Sequence, residues 1–141
     1  GRDGIVYAIA LLPGSSEPGH QTIDRIIDVF PAGQQQQIRT QLSVSLVAVF
    51  AQTLLPKVDA QGNKIGRVLA QEIMTVTPAI SNLIREGKGA QIYSAIQTGS
   101  QYGMMTLESA LNDLYNKRII TYDDPLSVSS RPDDLVKLLS L

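Results

Sequence analysis

Thr77-Pro78-Ala79-Ile80-Ser81-Asn82-Leu83-Ile84-Arg85-Glu86-Gly87-Lys88 holds a complete helix in one short stretch. Thr77 brings a hydroxyl able to accept from a first-turn amide. Pro78 presets φ at the first helical position, where its missing N–H costs nothing. Ile80, Leu83 and Ile84 recur on one helical face, so that stripe is expected to face a core. Gly87 is the stop, because glycine takes the left-handed closing conformation cheaply. Asn82, Arg85 and Glu86 fall off the stripe and are left for a partner or a neighbouring subunit.

Upstream, residues 54–58 and 67–74 flank Asp59-Ala60-Gln61-Gly62-Asn63-Lys64, a run rich in turn formers. This predicts a β-hairpin with a polar tip. Further back, Ile23, Ile26, Ile27 and Phe30 make an apolar stripe behind Thr22, which can cap, and Pro31-Ala32-Gly33 breaks it. A longer helix is then expected over about 34–53. Ile38, Leu42, Leu46, Val49 and Phe50 share one face, while Val44, Val47 and Ala48 make its middle apolar nearly all round. That pattern predicts the buried centre of the fold.

Downstream, 88–98 reads as a short helix with Ile92, Ala95 and Ile96 inward, ending at Gly99. Thr106 caps another with Leu107, Ala110, Leu111 and Leu114 inward, and Lys117 and Arg118 suit its negative end. Asp133 and Asp134 suit the start of a last helix running through Leu139. The predicted fold class is mainly α with one β-hairpin (α+β). Residues 1–20 are set apart. An apolar run over 5–12 and a Pro/Gly/Ser joint make them a leader or linker, with 21–141 as the helical domain.

Composition narrows the chemistry. The 141 residues are 43% hydrophobic and 18% charged, in the range of an ordinary globular domain. Twelve Lys and Arg against 13 Asp and Glu give no polybasic surface, so neither a nucleic-acid partner nor a membrane-binding face is expected. Zero cysteines exclude disulfides and thiolate metal sites, and the single His20 excludes a multi-histidine centre. Gly14 and Gly19 have phosphate-loop spacing, but His20-Gln21 stands where Lys-Ser/Thr is required. Asp123-Asp124 and Asp133-Asp134 read as helix-dipole partners rather than as cation ligands. Arg25, Arg39, Arg67, Arg85 and Arg118 are dispersed, and Tyr93, Tyr102, Tyr115 and Tyr122 lack a stacking-platform spacing. On residues alone this is an interaction or mechanical domain, with no catalytic, cofactor-binding or metal residues of its own.

From Thr22 onward the text resembles a known family. Thr22-Ile23-Asp24-Arg25-Ile26-Ile27-Asp28-Val29-Phe30-Pro31-Ala32-Gly33, Gln52-Thr53-Leu54-Leu55-Pro56 and Ala70-Gln71-Glu72-Ile73-Met74 are similar, in order, to segments of PilT-type twitching-motility ATPases. So are 77–88, Ile92-Tyr93-Ser94-Ala95-Ile96-Gln97-Thr98-Gly99 and Gly103-Met104-Met105-Thr106-Leu107-Glu108. The resemblance implies the C-terminal part of a RecA-like P-loop motor of the type II/IV secretion superfamily. It implies a cytoplasmic homo-hexamer at the inner-membrane pilus base, dependent on ATP and Mg, that pulls pilin back through platform proteins. The family's Walker motifs would lie upstream of anything present here, so this stretch alone is expected to bind no nucleotide. His20 does not match the family's histidine box.

Ala79, Ile80, Asn82, Leu83, Ile84, Arg85 and Glu86 match the Ala-Ile-Arg-Asn-Leu-Ile-Arg-Glu signature that the family uses for retraction. The third position is Ser81 here instead of Arg. The readings in competition are an interaction domain of a related pilus-extension or type II secretion ATPase, and a free-standing helical adaptor.

Overall fold

The computed structural model describes residues 19–140. The apolar run 5–12 and the joint after it lie outside the described residues, as does the side chain of His20. The elements are α1 (Gly19–Asp28), α2 (Ala32–Ser45), β1 (Ala48–Val58), β2 (Lys64–Thr75), α3 (Pro78–Arg85), α4 (Ile92–Gln97), α5 (Leu107–Asn116), α6 (Asp123–Val128) and α7 (Pro132–Leu139). The expected class holds: helices around one antiparallel two-stranded sheet.

The hairpin is longer than its sequence signal. Its register runs from Ala48↔Thr75 to Val58↔Lys64. At the tip, Asp59 Oδ1 accepts the Gln61 and Asn63 amides at 3.0 and 2.9 Å, and Gly62 takes a positive φ of 83°. An aspartate bonding the backbone just ahead of it, with glycine at the left-handed position, fixes the reversal.

The expected helix over 34–53 is corrected. α2 ends at Ser45, Leu46 is already extended (ψ 130°), and Val49 and Phe50 belong to β1. Nor is α2 the buried centre: Ser43 is its one buried residue, and Val44 is 74% exposed. Val47, Val49 and Phe50 have β-branched or aromatic side chains that lose rotamer freedom in a helix and pack well on a pleated surface. From Val49 onward the burial alternates, with Val49, Ala51 and Leu55 buried and Phe50, Gln52 and Leu54 exposed. Pairing with β2 decides the case, because it satisfies the backbone of 48–58 while turning that alternation inward.

One smaller expectation also changes. α1 starts at Gly19, so Thr22 lies within the helix and does not cap it; its side chain is buried, and its Oγ1 has no hydrogen-bond partner. Farther on, α6 carries Asp123 and Asp124 in its first turn. Ile119 and Ile120 precede it, and the chain reverses at Arg118, which holds a left-handed φ of 60°.

The inner face of the hairpin carries two apolar clusters. Val49 and Met74 join Ile23 and Ile27 of α1, Ile80 and Ile84 of α3, and Ile92 and Ile96 of α4. Nearer the tip, Leu55 and Ala70 join Leu107, Ala110 and Leu111 of α5 with Leu135 and Leu139 of α7. A fully buried aliphatic side chain leaves a cavity when truncated, whereas an exposed one leaves nothing. Leu111→Ala, from a side chain 0% exposed, is therefore expected to cost about 2–5 kcal/mol in urea denaturation. Val44→Ala is expected within about 0.5 kcal/mol of the parent; a large loss there would restore the buried-helix reading of α2.

Candidate functional site

α3 is built as its sequence requires. Thr77 is extended (φ −76°, ψ 166°), and its Oγ1 accepts the Ile80 amide at 3.3 Å, with Pro78 at the helix start. At the other end Gly87 takes φ 69°. The Lys88 amide donates to the Leu83 carbonyl at 2.9 Å and the Gly87 amide to that of Ile84 at 3.2 Å. That crossed pair satisfies carbonyls which a helix end otherwise leaves open. Ile80 and Ile84 are buried and Leu83 half-buried, while Ala79, Asn82, Arg85 and Glu86 are exposed. Arg85 Nη1 donates to Asn82 Oδ1 at 2.9 Å, and Lys88 pairs with Glu86 at 2.9 Å. Both contacts lie in water and add little stability. Their effect is to order the outer face.

α2 holds α3 from the side. Gln36 Nε2 donates to the Arg85 carbonyl at 3.1 Å, at the helix end where carbonyls are unpaired. Arg39 lies against Gly87, where a β-carbon would sit 3.2 Å from its Nε. At the far end of α2, the Ser81 hydroxyl donates to the Ser43 carbonyl at 2.6 Å. Ser81 is thus turned toward α2 and is half-buried, not part of the exposed strip. Between the two helices lies a shallow cleft of about 370 Å³ lined by Ser43, Val44, Pro78, Ser81, Asn82 and Arg85.

A second constellation was not legible in the sequence. Glu72 of β2 and Glu108 of α5 are each 1% exposed. Glu72 Oε2 accepts the Leu107 amide at 3.4 Å, placing a carboxylate on the first turn of α5. Tyr93 donates its hydroxyl to Glu108 Oε1 at 3.3 Å, and Glu108 Oε2 has no hydrogen-bond partner. Burial, reinforced by the charge of Glu72, pushes the Glu108 carboxyl up from 4.5 to about 7. Burial and the same neighbour, Glu108, push Tyr93 up to about 12. The Arg131 guanidinium sits 3.7 Å over the Tyr93 ring and pairs with Asp134 at 3.7 Å. Glu72 and Glu108 belong to elements far apart in the chain, so no spacing announces them.

The other sequence candidates stay apart. Asp123-Asp124 and Asp133-Asp134 occupy the first turns of α6 and α7, and among the described residues no three potential metal ligands converge. Tyr115 and Tyr122 meet edge-to-face at 5.9 Å, Tyr93 is buried and Tyr102 exposed. No helix among the described residues is long and apolar enough to cross a membrane.

No family model matches the chain. The type IV pilus retractation ATPase PilT of Pseudomonas aeruginosa is 47% identical over 114 residues, 81% of this chain. A twitching motility protein of Neisseria gonorrhoeae is 48% identical over 100 residues, 71% of this chain. The crystal structure of the pilus retraction motor PilT with bound ADP superposes with a TM-score of 0.72 at 40% identity, covering 84% of this chain. The chain belongs to the PilT-type ATPase family. It spans 32% and 26% of the length of those two relatives and 31% of the superposed PilT chain. Its elements are those of the C-terminal region of PilT-type proteins, an α+β arrangement with a single hairpin.

Within this PilT-type domain the position of α3 depends on Gly87. An added methyl there meets both a left-handed backbone and the Arg39 side chain. Gly87→Ala is expected to lose about 1–2 kcal/mol of stability in thermal or urea unfolding. A neutral outcome would show that the α2 contact at this end is slack.

Proposed function

We propose that this domain works in a hexameric type IV pilus retraction motor, passing ATP-driven subunit rearrangement to the pilus machinery through the outer face of α3. One observation carries the reading: Asn82, Arg85 and Glu86 stand together on an exposed strip, while both ends of their helix are fixed to α2. A surface that transmits displacement has to be exposed to its partner and rigid toward its own core. Supporting it are relatives described as a pilus retractation ATPase and a twitching motility protein, and a similar PilT structure that holds ADP.

On this reading nucleotide and Mg are held by the remainder of the parent subunit. The subunits assemble with one another on the cytoplasmic side of the inner membrane, against the pilus platform proteins. The chemistry would be phosphoryl transfer upstream, and this domain's part is mechanical. The interaction domain of an extension or secretion ATPase is the second reading. The observation favouring it is Ser81, which leaves α3 without the cation that the retraction signature has at that position.

Arg85→Ala in the full-length parent is expected to keep ATP turnover within about twofold while twitching motility is lost. Arg85 lies in solvent, so the fold should stand. Retention of both activities would remove α3 from the mechanism. The 141-residue chain by itself is expected to hydrolyse ATP no faster than a buffer control in a phosphate-release assay.

A further inference from the structure

Glu108 lies where the two apolar clusters of the hairpin meet. Glu72 occupies the inner face of β2 between Ala70, which belongs to the tip cluster, and Met74, which belongs to the other. The partner of Glu72 across the sheet is Ala51, which brings no charge. Glu108, in the first turn of α5, is packed into the same seam. An ionised carboxylate there is costly unless it is paired and fully hydrogen-bonded. Glu108 is only partly supported. The neutral Tyr93 hydroxyl donates to it at 3.3 Å and its own backbone amide helps, but its Oε2 is buried with no partner and the adjacent acid, Glu72, repels it.

The remaining charges do not compensate. Arg131 at the start of α7 attracts it but is stacked on the Tyr93 ring and paired with Asp134. Asp113 of α5 and Asp133 and Lys137 of α7 are exposed to solvent, which screens their charge. A protonated carboxyl fits the seam, because it carries no charge and can still accept from Tyr93.

We propose that Glu108 is a proton-operated latch: neutral, it seats the first turn of α5 against β2 and α4; ionised, it leaves the seam, and α5 opens together with α7, which packs behind it. α5 is the element that moves because Glu108 belongs to it, while Glu72 and Tyr93 are fixed in the sheet and in α4. The folded-state carboxyl titrates higher than an exposed one, at about 7 against 4.5. The closed form therefore binds the proton more tightly than the open form. Its advantage is complete below the open-state value and is lost as pH rises through the closed-state value. The latch responds to pH most between those two values, on the acid side of neutrality, and no longer above the higher one.

Residue-resolved amide hydrogen exchange on the whole chain between pH 5 and 8, corrected for the intrinsic pH dependence of exchange, tests this. Protection of the Leu111 and Asn112 amides is expected to fall about tenfold per pH unit between pH 5 and 7, since opening then releases one proton, and to level off above. Protection in α3 should not follow. Glu108→Gln, neutral and of the same shape, should give a flat profile at the level the parent shows at pH 5. Glu72→Gln removes the repelling charge and should bring the levelling-off to lower pH. A parent profile that is flat, or one that Glu108→Gln reproduces, overturns the latch. Should Glu108→Gln fail to fold, the Glu108 carboxyl carbon can be titrated by NMR in the parent, where ionisation complete below pH 5 also overturns it.

Discussion

The register of one hairpin sets the rest of this structure. Pairing Ala48 with Thr75 puts Val49, Ala51 and Leu55 on the same face as Ala70, Glu72 and Met74. A slip of one residue would turn Phe50, Gln52 and Leu54 inward instead. Neither strand has a second strand to correct it, because the described sheet has two strands. The register is held at both ends by other means. The Asp59 turn fixes the tip, and at the open end the Val76 amide donates to the Val47 carbonyl at 2.8 Å. Between them the Ile73 and Met105 backbones exchange bonds at 2.8 and 3.0 Å, tying the segment before α5 to β2. The helices pack against the face that this register defines.

That face is not uniformly apolar. Met74 and Val49 serve one cluster, Ala70 and Leu55 the other, and Glu72 comes between them. Burying a carboxylate mid-sheet is unfavourable unless something repays the desolvation. Part of the return comes from α5, whose first amides are unpaired within the helix and carry partial positive charge. The Leu107 amide points at Glu72, so the acid and the helix start satisfy each other. Glu108 enters the same seam with its helix, where the Tyr93 hydroxyl donates to one carboxyl oxygen and the other has no partner. Polar groups at this seam specify how the halves meet, where two greasy faces alone would tolerate sliding.

What the sequence discloses follows from how local each cause is. The α3 helix, its Thr77 cap and its Gly87 stop are set by neighbouring residues, and they stand as read. The Thr106 cap does too, with its Oγ1 accepting the Ser109 amide at 3.1 Å. The hairpin tip was legible from Asp59 and Gly62, but the strand lengths were not. At 46–53 a run of apolar residues fits both periods, and only pairing with the distant 68–75 segment selects the strand. Exposed apolar residues such as Val44 and Phe50 misled in the same direction, since period alone does not say which side has a neighbour. The outward Asn82, Arg85 and Glu86 were visible from spacing. The meeting of Glu72, Tyr93 and Glu108 was not, because three elements have to assemble before it exists.

Ser81 shows why a matched signature still has to be read in its packing. By spacing it flanks the stripe of Ile80 and Ile84, and by sequence it replaces an arginine of the family pattern. In the fold its hydroxyl reaches the Ser43 carbonyl at 2.6 Å, near the last turn of α2, where carbonyls lack helical partners. The short side chain thus bridges α3 to α2, and the positive charges of this stretch are Arg85 and, beyond the glycine, Lys88. Arg39 and Gln36 press on the opposite end of α3, so the helix is held at two points along one flank and left open along the other. The exposed strip is consequently defined as much by what α2 covers as by the residues that carry the motif.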